Sequence, residues 1–105
     1  MSVQTIDASN FKHAIQEKEV TFVDFVTQWC PPCKTLLPIL EEMEREEEHR
    51  LSVVKVDCSE SPEIAAQFGV MGTPTVIVFH NGEPVDKLVG LRPKSVYQAV
   101  LSRYA

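Results

Sequence analysis

Residues 21–34 read TFVDFVTQWCPPCK, from Thr21 to Lys34. The first six are a nearly continuous run of β-branched and aromatic side chains, the pattern of a strand buried on both faces. The run stops just before Cys30 and Cys33. If a helix begins between the two cysteines, their i, i+3 spacing puts both sulfurs on one face, close enough to bond with little backbone movement.

A helix starting there also sets their chemistry. Free backbone amides and the positive end of the helix dipole lie beside Cys30 and stabilise its thiolate, the form that attacks disulfides. Cys30 is therefore the expected attacking thiol. Cys33, one turn in and shielded, is placed to break the resulting mixed disulfide and leave a Cys30–Cys33 bond. Pro31 and Pro32 have fixed φ and no amide hydrogen, so they stiffen the loop and withhold two donors from the sulfurs. Proline in the first turn does not contradict the helix. Lys34 either adds positive charge near the sulfurs or is simply solvated.

Two cysteines at this spacing also suggest half of a zinc knuckle, but a closed zinc site needs four ligands. The remaining Cys58, His13, His49 and His80 are scattered without ligand spacing, so no metal site is expected. An odd total of three cysteines does not suit a secreted disulfide framework.

Outward from this stretch, strands and helices alternate. Ser2 to Ile6 reads as a short edge strand, and Ser9 or Asn10 as the cap of a helix through about Lys18. Leu36, Leu37, Leu40 and Met43 mark a helix from Cys33 to about His49, kinked near Pro38. Leu51 to Asp57 is the next strand. Ser61 and Pro62 open a short helix that Gly69 closes. Thr75 to His80, the Asn81-Gly82 turn and Val85 to Val89 form a hairpin. Pro93 to Tyr104, with Val96, Val100 and Leu101 on one stripe, is a terminal helix. The order βαβαβαββα implies an α/β fold with a mixed sheet.

A length of 105 residues allows one core, so residues 1–105 are expected to be a single domain. The hydrophobic share of 44% excludes disorder as the default. The charge of −5, with Glu41, Glu42, Glu44, Glu46, Glu47 and Glu48 on one run, argues against nucleic-acid binding. The N-terminus lacks the basic and apolar regions of a signal peptide, and no apolar run would span a membrane, so a cytoplasmic location is expected.

The chain resembles the thioredoxin family over nearly its whole length. The likeness rests on Val23-Asp24-Phe25 before the motif, on WCPPCK followed by a helix containing Pro38, and on Val54-Lys55-Val56-Asp57. It continues through FGVMGTPTVIVFHNGEPVDKLVG, residues 68–90, and the final helix. The resemblance implies a thioredoxin fold, a central mixed five-stranded sheet flanked by four helices. It implies a protein thiol–disulfide oxidoreductase with no bound cofactor, reduced by NADPH through thioredoxin reductase and acting on disulfide-containing proteins, as a monomer.

By the same resemblance Asp24 is buried behind the cysteines and helps move the proton of the second thiol. Desolvation inside TFVDFV agrees, since it raises a carboxyl pKa toward neutrality. A buried ion pair with Lys55 is the other role open to Asp24. Pro74 matches the family's cis-proline, exposing the backbone of Thr73 to an extended substrate segment. Trp29, Val70, Met71, Gly72 and Gly90 match the docking surface, which Pro31 and Pro32 adjoin.

The chain departs from the family pattern in three respects. Pro31 stands where glycine is usual, which puts the redox poise in question. Val26-Thr27 stands where Trp-Ala is common. Cys58 has no counterpart in the simplest members. Two further functions are therefore open: a specialised donor, oxidant or isomerase with a shifted potential, or a non-catalytic binding module using the same groove.

Overall fold

The structure is a computed structural model and describes residues 3–105. Its elements run β1 (Gln4–Ile6), α1 (Phe11–Ala14), β2 (Val20–Val26), α2 (Pro31–Glu46), β3 (Leu51–Asp57), α3 (Pro62–Gln67), β4 (Thr75–His80), β5 (Glu83–Val89) and α4 (Lys94–Tyr104). The order is the one the sequence predicts. The sheet is β1-β3-β2-β4-β5, parallel between β1, β3 and β2 and antiparallel from β2 through β4 to β5.

The two faces of β2 alternate, as a strand's side chains must. Val20 and Phe22 join Leu36 and Leu40 of α2 and Tyr97 and Val100 of α4 in one core. Val23 and Phe25 join Ile15 beyond α1 and Ile64 of α3 in the other. Helices on both faces bury every residue of β2 from Val20 to Phe25.

Several boundaries differ from expectation, each for a local reason. The edge strand begins at Gln4, and Ser2 lies outside the described residues. The first helix ends at Ala14 instead of Lys18. Asn10 spends its side chain on the amide of Asp7 (2.9 Å) and leaves the helix without a side-chain cap. Past Ile15 the backbone tightens to i→i−3 bonds, Gln16 to His13 and Glu17 to Ala14. The polar run Gln16–Glu19 offers little to bury, so nothing draws the helix onward.

The second helix includes both prolines and stops at Glu46, where Leu51 N–H bonds the carbonyl of Glu47 (2.8 Å) and turns the chain into β3. Ser61 stands at the N-cap of α3 without a side-chain bond, and Gly69 follows at φ +64°. The Asn81-Gly82 turn has positive φ at both residues, 52° and 84°, as a tight hairpin requires. The strand after it starts at Glu83, earlier than read. A register shift between Val78 and Phe79 leaves Pro84, which has no amide to donate, opposite Phe79.

In α4 the buried stripe is Tyr97, Val100 and Leu101; Val96 is only half-buried. Tyr97 is fully enclosed and packs its ring 6.4 Å from Phe22. Tyr97→Ala should therefore cost about 3–5 kcal/mol in a denaturant melt, while Val96→Ala, one residue earlier, should cost less than about 1 kcal/mol. Equal losses at the two positions would contradict this packing.

Candidate active site

The loop Thr27-Gln28-Trp29 leads from the central strand to Cys30, the N-cap of α2, in extended conformation at φ −137° and ψ 92°. Pro31 and Pro32 occupy the first two helical positions and are exposed. Cys33 is at the third. Its amide donates to Cys30 Sγ (3.3 Å), and the amide of Lys34 is taken by the Cys30 carbonyl (3.3 Å). The two cysteines are joined as a disulfide, with Cα atoms 5.3 Å apart, and both are buried. Lys34 is exposed on the first turn.

Asp24 lies midway along β2, in register with Lys55 of β3 and Val76 of β4. Alternation puts its side chain on the face covered by α2 and α4. It is 0% exposed, and neither carboxylate oxygen has a hydrogen-bond partner. Burial raises its pKa from 3.8 to about 7, against the opposing pull of the Lys55 charge. The direct Asp24–Lys55 ion pair left open by the sequence is not formed. Lys55 acts on Asp24 through its field from the next strand.

Across from the cysteines, the Thr73–Pro74 peptide is cis. Thr73 Oγ1 is 3.5 Å from Cys30 Sγ, and the Pro74 carbonyl accepts from Gly90 N–H (2.8 Å). Gly90 has φ +83°, open to glycine without strain, and its carbonyl accepts from the Tyr97 hydroxyl (3.4 Å). Gly72 accepts from Thr75 Oγ1 (2.7 Å). Trp29 and Met71 stand 85% and 99% exposed beside this arrangement, while Val70 turns inward against the α1–α3 core.

The structure thus gathers Cys30, Cys33, Thr73, Pro74 and Gly90 at one end of the sheet, with Asp24 on the sheet face that α2 covers. Cys58 follows β3 at that same end, its amide on the Val26 carbonyl (2.9 Å). Burial and the charges of Asp57 and Asp24 push the Cys58 thiol up, which favours its protonated form.

Three features were not singled out as site residues from sequence. Tyr97 braces Gly90 and was obscured by placing Val96 on the buried stripe. Val89 and Leu91 are exposed apolar residues flanking Gly90; apolar neighbours of a loop glycine were the available signal. Thr27, noted only as a departure, bonds Thr73 at 3.1 Å between hydroxyl oxygens. With Trp29 and Met71 exposed the site is an open surface, and two hollows of about 380 and 350 Å³ lie away from the cysteines, by Lys18 and Glu44 and by Asp7 and Asp57.

A cysteine pair bonded across the first turn of a helix, above a sheet face that buries a carboxyl, is the arrangement of a thiol–disulfide oxidoreductase. The thioredoxin family model matches residues 2–103. Thioredoxin from Staphylococcus haemolyticus is 43% identical over 104 residues, covering 99% of each chain, and that from Alicyclobacillus acidocaldarius is 39% identical over 101 residues, 96% of each. Among solved structures, a mutant thioredoxin from Halobacterium salinarum superposes with TM-score 0.89 at 28% identity, covering 98% of this chain and 90% of that one. Plasmodium falciparum thioredoxin gives 0.86 at 31% identity, covering 98% and 100%. The chain belongs to the thioredoxin family, and its fold is the thioredoxin fold. No helix among the described residues is long and apolar enough to cross a membrane.

The buried carboxyl has a consequence for stability. Between about pH 4 and the folded pKa of about 7, folded Asp24 keeps a proton that the unfolded chain has lost, so stability falls as pH rises through that window. Asp24→Asn removes this dependence. From about pH 4 to about pH 8 the stability of the variant relative to the parent should rise by about 4 kcal/mol, read from guanidinium melts of the oxidised proteins. A pH-independent difference would mean the carboxylate is compensated.

Proposed function

We propose that the chain is a protein-disulfide reductase, with Cys30 as nucleophile, Cys33 as resolving thiol and Asp24 as proton acceptor. The observation that carries this is the buried Cys30–Cys33 bond at the N-terminus of α2, with unpartnered Asp24 on the sheet face beneath that helix.

In the reduced state the Cys30 thiolate attacks one sulfur of a partner's disulfide. A Cys30–partner bond forms, and the partner's other sulfur leaves as a thiolate and takes up a proton. Cys33 passes its proton to the Asp24 carboxylate, and its thiolate attacks Cys30 Sγ. The Cys30–Cys33 bond forms, and the partner's remaining sulfur leaves and is protonated. Two electrons have moved to the partner, and the chain is oxidised. A carboxyl with pKa about 7 suits this step, because it accepts a proton near neutrality and releases it again. Lys55 keeps that pKa from rising further.

An extended partner segment pairs with the backbone at Thr73, ahead of cis-Pro74, and lies over Gly72 and Gly90, where no atom comes within 4 Å of the point at which a side chain would begin. Trp29, Met71, Pro31 and Pro32 flank it with exposed apolar surface. The spacer favours the reducing direction. With no amide at Pro31 or Pro32, the reduced thiolate has fewer donors, and the disulfide is correspondingly the more stable form. This supports a reductant over an oxidant or isomerase. Electrons come from NADPH through thioredoxin reductase, and the protein works in the cytoplasm as a single-domain monomer.

Insulin reduction with NADPH and thioredoxin reductase tests reaction class and electron donor together. Cys30→Ser should abolish turnover, and Cys33→Ser should accumulate a mixed disulfide with insulin. Asp24→Asn should slow release from the mixed disulfide on the order of 10²-fold and remove its acceleration as pH rises through about 7. Failure to reduce insulin, or undiminished turnover in both cysteine variants, would refute the proposal.

A further inference from the structure

Thr27 and Thr73 come together over a sequence separation of 46 residues, with their hydroxyl oxygens 3.1 Å apart. Thr73 Oγ1 is also 3.5 Å from Cys30 Sγ, within reach of a hydroxyl-to-sulfur bond. That sulfur belongs to a disulfide here and marks where the thiolate forms on reduction. A hydroxyl carries one proton, so Thr73 cannot donate to both neighbours. A thiolate only accepts. Once it forms, Thr73 must point its proton at the sulfur, and its own oxygen is then free to accept from Thr27. Among the described residues neither hydroxyl has another hydrogen-bond partner. The result is a one-way chain from Thr27 through Thr73 to Cys30.

The chain matters because the helix end is short of donors. An ordinary first turn offers several free amides, but Pro31 and Pro32 have none. The amide of Cys33 is the backbone donor on Cys30 Sγ (3.3 Å), and that of Lys34 is committed to the Cys30 carbonyl (3.3 Å). Thr73 is then a second donor on a sparsely solvated sulfur, and Thr27 fixes its direction and polarises it.

We infer that Thr27 is a positioning residue for the Cys30 thiolate, holding the Thr73 hydroxyl with its proton on Cys30 Sγ and thereby raising both the thiolate fraction and the reduction potential of the pair. This rests on Cys30 being the attacking thiol. Hydrogen bonds to charged groups are stronger than neutral ones, and bonds in a chain reinforce one another by about 10–30%. Adding the lost alignment of Thr73, removing Thr27 should weaken Cys30 as an acid about threefold. Toward the cysteine end of the surrounding elements the titratable groups are Cys33 and Lys34 of α2, Asp24 of β2, Lys55 and Asp57 of β3, Cys58 beyond it, and Tyr97 of α4; all remain in the variants proposed below.

The test uses the reduced protein. The pH dependence of iodoacetamide alkylation, with the modified cysteine assigned by mass spectrometry, gives the acidity of Cys30, and equilibration with glutathione gives the potential. Thr27→Val keeps shape and β-branching and removes the donor. It should lower the Cys30 acid constant about threefold and, at a pH where Cys30 is fully ionised, shift the glutathione equilibrium toward the disulfide about threefold, about 14 mV. Thr27→Ser should restore both values, and Thr27→Val should add nothing in a Thr73→Val background. Thr27→Ala serves if the valine variant does not fold. An unchanged profile in Thr27→Val, or an equal shift with and without Thr73, would overturn the inference while leaving the reductase function intact. Preferential alkylation of Cys33 in the parent would instead overturn the role of Cys30 and the inference with it.

Discussion

The hydrogen-bond ladders on both edges of β2 are the constraint on which the site depends. β3 pairs with β2 over its full length from Val20 to Val26, and β4 pairs from Val20 to Phe25. With helices packed on both faces, the strand has no freedom to shift. It therefore fixes two things at once: the depth of Asp24 and the point where Thr27 leaves the sheet toward Cys30. A one-residue slip would turn Asp24 to the α1–α3 face and carry the cysteines away from the cis Thr73–Pro74 peptide.

This rigidity lets the fold hold a group that opposes folding. A fully buried carboxyl with no hydrogen-bond partner is destabilising when ionised, and burial, more than any neighbouring charge, sets its pKa. The same enclosure that penalises the charge leaves a carboxyl of near-neutral pKa on the sheet face beneath α2. At the helix N-terminus the balance is different. There the sulfur gains from the dipole and from Cys33 N–H, while Pro31 and Pro32 subtract the amides that would stabilise it further. Reducing strength is a difference between these terms, so a weak side-chain donor such as Thr73 carries more weight in this chain than beside a glycine-containing spacer.

Much of the fold was legible because periodicity and turn chemistry pointed the same way. β3 and β4 fall at the residues read from sequence, and the Asn81-Gly82 turn adopts the positive φ values its residues favour. Asp24 stood out because a carboxylate inside an otherwise apolar strand has few places to go. The misses share a different cause. Helix α1 ends early because Asn10 is diverted into a turn with Asp7, a local competition that the cap signal alone does not reveal. Tyr97, not Val96, fills the stripe, because it buries its ring while placing its hydroxyl on the Gly90 carbonyl. Thr27 and Thr73 could not be paired from sequence at all. Their contact depends on β4 lying beside β2, which topology decides.

The same dependence on topology explains why the site is a surface and not a pocket. In the proposed reaction a partner would present its disulfide on an extended segment, with the sulfur in line with Cys30 while the segment's backbone finds donors and acceptors. The Thr73–Pro74 turn meets this need only if it is held still. Gly90 N–H grips the Pro74 carbonyl from one side, and the Tyr97 hydroxyl grips Gly90 from the other. Tyr97 is itself locked in the core against Phe22. The exposed rim is thus tied through Gly90 and Tyr97 to the core beside β2, and the same strand fixes the cysteines. The cis Thr73–Pro74 peptide and the Cys30 sulfur are held in one frame, the kind of fixed alignment that a sulfur-to-sulfur displacement requires.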